Sequence, residues 1–314
     1  MRLLHSSTLD FHEFPNHKDV AYAILSHTWG DDEVLFQELD GFNAETTPEA
    51  TKQKSGYKKI KACCAQAASD GFEYAWVDTC CIDKRSSAEL SEAINSMYRW
   101  YQDSAVCYAY LADVPNGADL GVQRKKFRDS RWFRRGWTLQ ELIAPCSIEF
   151  YGDHWFSHGQ DASLGTRRSL TYVVAGITRI PINVLQGSEI SSYSVAQKMC
   201  WAATRETTRE EDLAYCLMGL FEVNMPLLYG EGNRAFYRLQ EEIMKVSADE
   251  TIFAWKIPRS DTKEFSRGIL AKSPNSFASC ASTIQDWGLS HDLRQTTPFS
   301  VTNMGLRLEV TLIK

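Results

Sequence analysis

The 314-residue sequence has no run approaching the ~20 consecutive apolar residues of a membrane-spanning helix. Its first residues, Met-Arg-Leu-Leu-His-Ser, lack the apolar core of a secretory signal. These absences predict a cytoplasmic protein with no membrane span. No lysine or arginine run forms a phosphate-binding stripe, and the formal net charge is -6, which argues against a nucleic-acid partner. The short basic clusters at 58–61 and 124–126 read as solvated faces. Nine cysteines are present, yet none has the Cys-x-x-Cys spacing of a zinc site. Two pairs are adjacent (Cys63 with Cys64, Cys80 with Cys81), and neighbouring cysteines rarely bridge each other. Most of the nine sit among apolar residues as reduced core thiols do, so no metal and a reducing compartment are expected. Internal repeats and low-complexity linkers are also missing.

What remains is an ordinary globular composition, 44% hydrophobic and 24% charged, long enough for one large or two modest domains. Short apolar runs at 22–26, 74–77, 106–111 and 147–151 read as strands. Between them, Tyr57, Ile60, Cys64 and Ala67 recur at helical spacing over 54–69, ended by Asp70-Gly71. Ser86-Ser-Ala-Glu89 has capping-box spacing, and Leu90, Ile94, Met97, Tyr98 and Tyr101 follow on one helical stripe. Alternating strands and helices predict a parallel sheet with helices on both faces over residues 1–151.

After Tyr151 the character changes. Residues 163–186 read as loop-rich. Thr208-Arg-Glu-Glu211 again has capping-box spacing and leads into Leu213, Leu217 and Leu220. Phe236, Leu239, Ile243 and Val246 share a further helical face, and 252–255, 299–302 and 306–313 are strand-like. Residues 152–314 are therefore expected to form a helical, then β-containing extension packed on the first part. The chain stops inside a strand-like pattern, so fusion to further domains is expected.

Three segments carry the chemistry: 22–32 (Tyr-Ala-Ile-Leu-Ser-His-Thr-Trp-Gly-Asp-Asp), 74–84 (Tyr-Ala-Trp-Val-Asp-Thr-Cys-Cys-Ile-Asp-Lys) and 135–145 (Arg-Gly-Trp-Thr-Leu-Gln-Glu-Leu-Ile-Ala-Pro). The first two run an apolar strand into a polar cluster, as strands do when they deliver side chains to a site at their C-terminal ends. On the residues alone, Ser26, His27, Thr28, Trp29 and Gly30 form either a ligand-binding rim or a loop held by its own hydrogen bonds. Asp78 either meets a ligand or anchors the loop of Cys80 and Cys81. Those thiols are packing, or a nucleophile assisted by His27. Ser26 and His27 are adjacent on a strand, so their side chains point to opposite faces. Glu141, alone in an apolar and aromatic segment, either pairs with Arg134 or Arg135, caps a neighbouring loop, or has a chemical task.

The three segments resemble, in order, the motifs of the fungal heterokaryon-incompatibility (HET) domain, and 204–219 and 227–232 resemble the region that follows it. The resemblance implies a role in fungal non-self recognition, innate immunity and programmed cell death. The element order and the segment Trp137-Thr-Leu-Gln-Glu141-Leu142 are also similar to Toll/interleukin-1-receptor (TIR) domains. That similarity implies a flavodoxin-like sheet, assembly into homo-oligomers when active, and NAD as a substrate rather than a bound cofactor. Glu141 then corresponds to the acid of an NAD nucleosidase. The leaving nicotinamide is already cationic, so one carboxylate suffices to stabilise an oxocarbenium-like transition state. Trp29 and Trp137 would stack on the bases. Two function classes stand side by side: a nucleotide-consuming effector, and a non-catalytic death-signalling module that acts by self-assembly.

Overall fold

Among the described residues of the computed structural model (1–116, 120–153, 155, 163–257, 268–284, 299–302 and 305–307), seven strands make one mixed sheet. They are β1 (Arg2–His5), β2 (Phe11–Glu13), β3 (Tyr22–His27), β4 (Tyr74–Trp76), β5 (Val106–Tyr110), β6 (Ile148–Tyr151) and β7 (Ser163–Thr166), in the order β2-β1-β4-β3-β5-β6-β7. The four strands expected from sequence form its parallel centre, β4-β3-β5-β6. The sheet is larger than the parallel one anticipated, because antiparallel strands extend both edges: β1 and β2 beside β4, and β7 beside β6. Edge strands of three or four residues carry too little alternation to be read in advance; in β1, consecutive Leu3 and Leu4 are both fully buried.

Every residue of β3 is buried, as in a strand covered on both faces. The covering helices are α1 (Glu49–Gln53), α2 (Ser55–Ser69), α3 (Ser87–Gln102), α4 (Leu120–Asp129) and α5 (Thr138–Ile143). On one face the Tyr22 hydroxyl reaches Trp100 of α3, Trp76 packs edge-on against Trp100 and Tyr101, and Ser26 meets α5. On the other face Tyr108 bonds Asp70 at the end of α2. The chain moves from β3 to β4 in one direction and returns to place β5 on the far side of β3. Two right-handed crossovers in opposite directions put α2 and α3 on opposite faces.

Local signals held unevenly. Tyr57, Ile60, Cys64 and Ala67 are buried on α2 as their spacing predicts, but Lys59 is buried with them rather than solvated. Ser86 caps α3 by accepting from the Glu89 N–H, while the Glu89 carboxylate turns to Arg2 and the Asp83 N–H, so only half of the capping box forms. The stretch 163–186 is structured rather than loop-rich: besides β7 it holds α6 (Thr171–Thr178) and α7 (Ile182–Leu185).

The chain divides into two compact units, Met1–Ser188 and Glu189–Lys314, so the first extends past Tyr151 to include β7, α6 and α7. The second contains α8 (Val195–Ala202), α9 (Asp212–Tyr215), α10 (Arg234–Val246) and a hairpin of β8 (Ser300–Thr302) and β9 (Gly305–Arg307). Phe236, Leu239 and Ile243 are buried on α10, but Val246 at its end is exposed. The helix does not start at Thr208: α9 begins at Asp212 with Glu211 at its N-cap, and the Glu211 carboxylate accepts from the N–H groups of Gly230 and Gly232. Residues 252–255, expected as a strand, form none: Ile252 and Phe253 end a 3-10 turn, Glu250–Phe253, capped by Asp249. Residues 308–313 of the last expected strand lie outside the described residues. No helix among the described residues is long and apolar enough to cross a membrane.

Candidate functional site

The strand order reverses between β3 and β5, and the carboxyl ends of such strands are where open α/β sheets form a crevice. Two separate polar clusters occupy this end of the sheet, one on each face of β3.

The first cluster joins β3 to α5. All six residues of α5 are buried, and Glu141 is only 6% exposed. The Ser26 hydroxyl, itself fully buried, donates to Glu141 Oε2 at 2.5 Å and accepts from the Trp132 indole N–H at 2.9 Å. Trp132 is held in turn by Ser130, whose Oγ accepts from its backbone N–H, and by Thr138, whose hydroxyl bonds its carbonyl. Arg167 anchors the other end of the helix, donating to the carbonyls of Leu142, Ile143 and Cys146. A cation on the terminal carbonyls suits the negative end of the helix dipole. Glu141 is thus bonded by a strand-end hydroxyl, a partner the sequence did not suggest.

The second cluster lies on the opposite face and centres on Asp78. Its Oδ1 accepts from His27 Nε2 and its Oδ2 from the Trp29 indole N–H, both at 2.8 Å. The Lys84 ammonium sits 3.7 Å from the centre of the Trp29 ring. Burial by itself would raise the Asp78 pKa, but His27, Lys84 and the Trp29 N–H outweigh it and hold the carboxyl below its usual range. Burial, aided by the Lys59 charge, depresses the His27 pKa against the pull of Asp78, so the imidazole is neutral at pH 7. Beside them Lys59 pairs with Glu33 at 2.5 Å, both side chains being under a tenth exposed. Sequence reading missed this pair. The one signal for it was that Lys59 shares the helical stripe of Gly56, Ile60 and Cys63.

The remaining sequence candidates fall around these clusters. Thr28 is buried, and Trp29 is 37% exposed. The Gly30 N–H is engaged by Glu33 Oε1 at 2.7 Å. Asp32 accepts from the backbone N–H of Ser55, the first residue of α2. Trp137 is the half-buried residue that opens α5, four positions before Glu141. Ser26 and His27 diverge to opposite faces as their adjacency requires. The sequence candidates are therefore not one rim but two, with Glu141 in the first and Asp78 in the second. Cys80 and Cys81 pack under the turn after β4, bonded to Val77, and burial drives the Cys80 thiol well above its ordinary pKa. That is the setting of packing thiols, not of a nucleophile. Among the described residues no group of histidine, cysteine and carboxylate side chains can hold a metal ion.

Residues 22–124 match the family model of the heterokaryon incompatibility protein (HET), and residues 234–314 match a domain of unknown function, DUF8212. The chain is 44% identical over 291 residues to the vegetative incompatibility protein HET-E-1 of Podospora anserina. That match covers 90% of this chain and 20% of the relative, so the chain spans about a fifth of the length of the curated relative. No solved structure matches it.

Proposed function

The chain is a heterokaryon-incompatibility (HET) domain protein, and from that premise we propose that it is the death-inducing effector part of a larger incompatibility protein. In this reading its α/β unit, a TIR-like variant of the flavodoxin-like plan, cleaves NAD or a related nucleotide at the carboxyl ends of β3, β4 and β5. One observation carries it: Ser26, at the end of β3, is joined to the Glu141 carboxylate across the point where the strand order reverses. A carboxylate there meets the need of the reaction. The pyridinium leaving group departs without a proton, positive charge builds on the ribose, and the carboxylate stabilises it. Ser26 and Trp132 orient the acid. Because Glu141 is buried, turnover in this reading requires the covering loops to open, and assembly into homo-oligomers is the proposed trigger.

The same burial favours a second reading. A carboxylate that is 6% exposed and bonded by a buried serine is also what a structural brace looks like. The chain would then act as a non-catalytic module that signals by self-assembly. Purified protein incubated with NAD and assayed for nicotinamide, alongside Glu141→Gln, separates the two. The enzyme reading expects release that falls by ~10²-fold or more in the variant, the size typical of a lost electrostatic stabiliser. Release that is unchanged by the substitution would remove Glu141 from the chemistry. No release from protein concentrated enough to self-associate would favour the brace.

A further inference from the structure

The Asp78 cluster contains more unmet hydrogen-bonding capacity than a settled structural knot should. Both Asp78 oxygens are already engaged, one by His27 and one by Trp29. Lys84, drawn to Asp78 by charge, finds no acceptor: its ammonium is buried without a hydrogen bond and rests against the Trp29 ring. His27 Nδ1, Glu33 Oε2 and Thr79 Oγ1 are buried and unpartnered as well. His27 is 4% exposed and Thr79 fully buried. Burying such atoms unpaired is costly, most of all for a charge.

These four atoms belong to the end of β3 and the two loops that follow β3 and β4, and their types are complementary to one kind of ligand. Lys84 and Thr79 supply donors. His27 uses its Nε2 hydrogen on Asp78, so neutral His27 offers Nδ1 as an acceptor, and Glu33 offers a second acceptor. The first carboxylate oxygen of Glu33 is neutralised by Lys59, which limits its repulsion of an anion. A molecule carrying an oxyanion and neighbouring hydroxyls satisfies both sets, and a phosphorylated ribose is such a molecule.

We propose that Lys84 and Thr79, with His27 and Glu33, form a subsite for the phosphorylated ribose of a nucleotide, gated by the Trp29 ring. Trp29 is the removable part, being the exposed member of the cluster and stacked on the ammonium. When it swings away, phosphate oxygens replace the ring on Lys84, and charge-assisted hydrogen bonds replace a cation–π contact. The inference deepens the nucleotide reading given above and rests on it for the ligand class, but it concerns binding, not cleavage.

The test uses AMP, adenosine and inorganic phosphate with the whole chain, none of which has a pyridinium bond to break. AMP is expected to bind at least about tenfold more tightly than adenosine, the scale of a charged hydrogen bond. Lys84→Met should erase that difference, Lys84→Arg should keep most of it, and Trp29→Phe should remove the accompanying change in tryptophan fluorescence. Melting temperatures verify that each variant is folded. Phosphate competing as well as AMP would assign the subsite to the free ion, with the same oxyanion contact. Equal binding of AMP and adenosine, no AMP binding at all, or undiminished AMP binding by Lys84→Met would overturn the proposal. Lys84-dependent AMP binding without nicotinamide release from NAD would leave it standing while removing the catalytic reading.

Discussion

Ser26 and Glu141, 115 positions apart in the chain, share a 2.5 Å hydrogen bond buried between β3 and α5. The hydroxyl does two things at once, donating to the carboxylate and accepting from Trp132. Ser26→Ala leaves two buried polar groups without that partner and should lower stability by about 1–3 kcal/mol. Glu141→Gln keeps an acceptor for the hydroxyl and should lower it less. Urea unfolding of both variants checks the order; a Ser26→Ala protein as stable as the parent would show that the bond is not a brace.

Acid should weaken the first unit beginning near neutral pH. Folding depresses the His27 pKa below its ordinary 6.5, so the unfolded chain takes up a proton that the folded one refuses. That contribution is fully present above about pH 6.5 and is lost as pH falls below it. Asp78 is also depressed in the folded state, and its contribution is lost further down, below the ordinary carboxylate value of 3.8. Melting temperature followed from pH 7.5 to 5 should decline in the parent, and the decline should be shallower in His27→Gln. Parallel curves for the two proteins would remove His27 as its source.

Gly56 lies where the loop after β3 crosses α2. A Cβ there would come within 2.8 Å of the backbone at Asp32, Glu33 and Val34. Gly56→Ala should therefore destabilise by about 1–3 kcal/mol, the range for forced overpacking. Gly176, in α6, faces open space, so Gly176→Ala should be neutral or stabilise by up to about 1 kcal/mol through helix propensity. Thermal denaturation of the pair reads the contrast, and equal effects would contradict the close approach.

Cys146 is exposed, whereas the other eight cysteines are buried and all nine are free. A small thiol reagent on the native protein should label one site rapidly and the rest only on unfolding. Mass spectrometry identifies the site, and Cys146→Ser should abolish the fast phase. Rapid labelling at Cys80 or Cys81 instead would return those thiols to consideration as nucleophiles.

The four central strands, their parallel run and the helices α2 and α3 were readable because each of these elements carries its own periodicity and end signals. Tyr57, Ile60, Cys64 and Ala67 announce the buried stripe of α2, and the Ser86 cap marks where α3 starts. Adjacency alone also required Ser26 and His27 to face apart. The edge strands β1, β2 and β7 were not readable, since three or four residues beside a partner distant in sequence owe their conformation to the ladder they join. Only the tertiary structure decided which polar groups meet. Lys59 looks solvated in a run of lysines until Glu33 arrives to neutralise it, and nothing near Glu141 in the chain announces that Ser26 reaches it from β3. Periodicity is a local property that sequence records directly. The choice of a buried charge's partner depends on which loops converge when the sheet closes, and the chain spells that out only once folded.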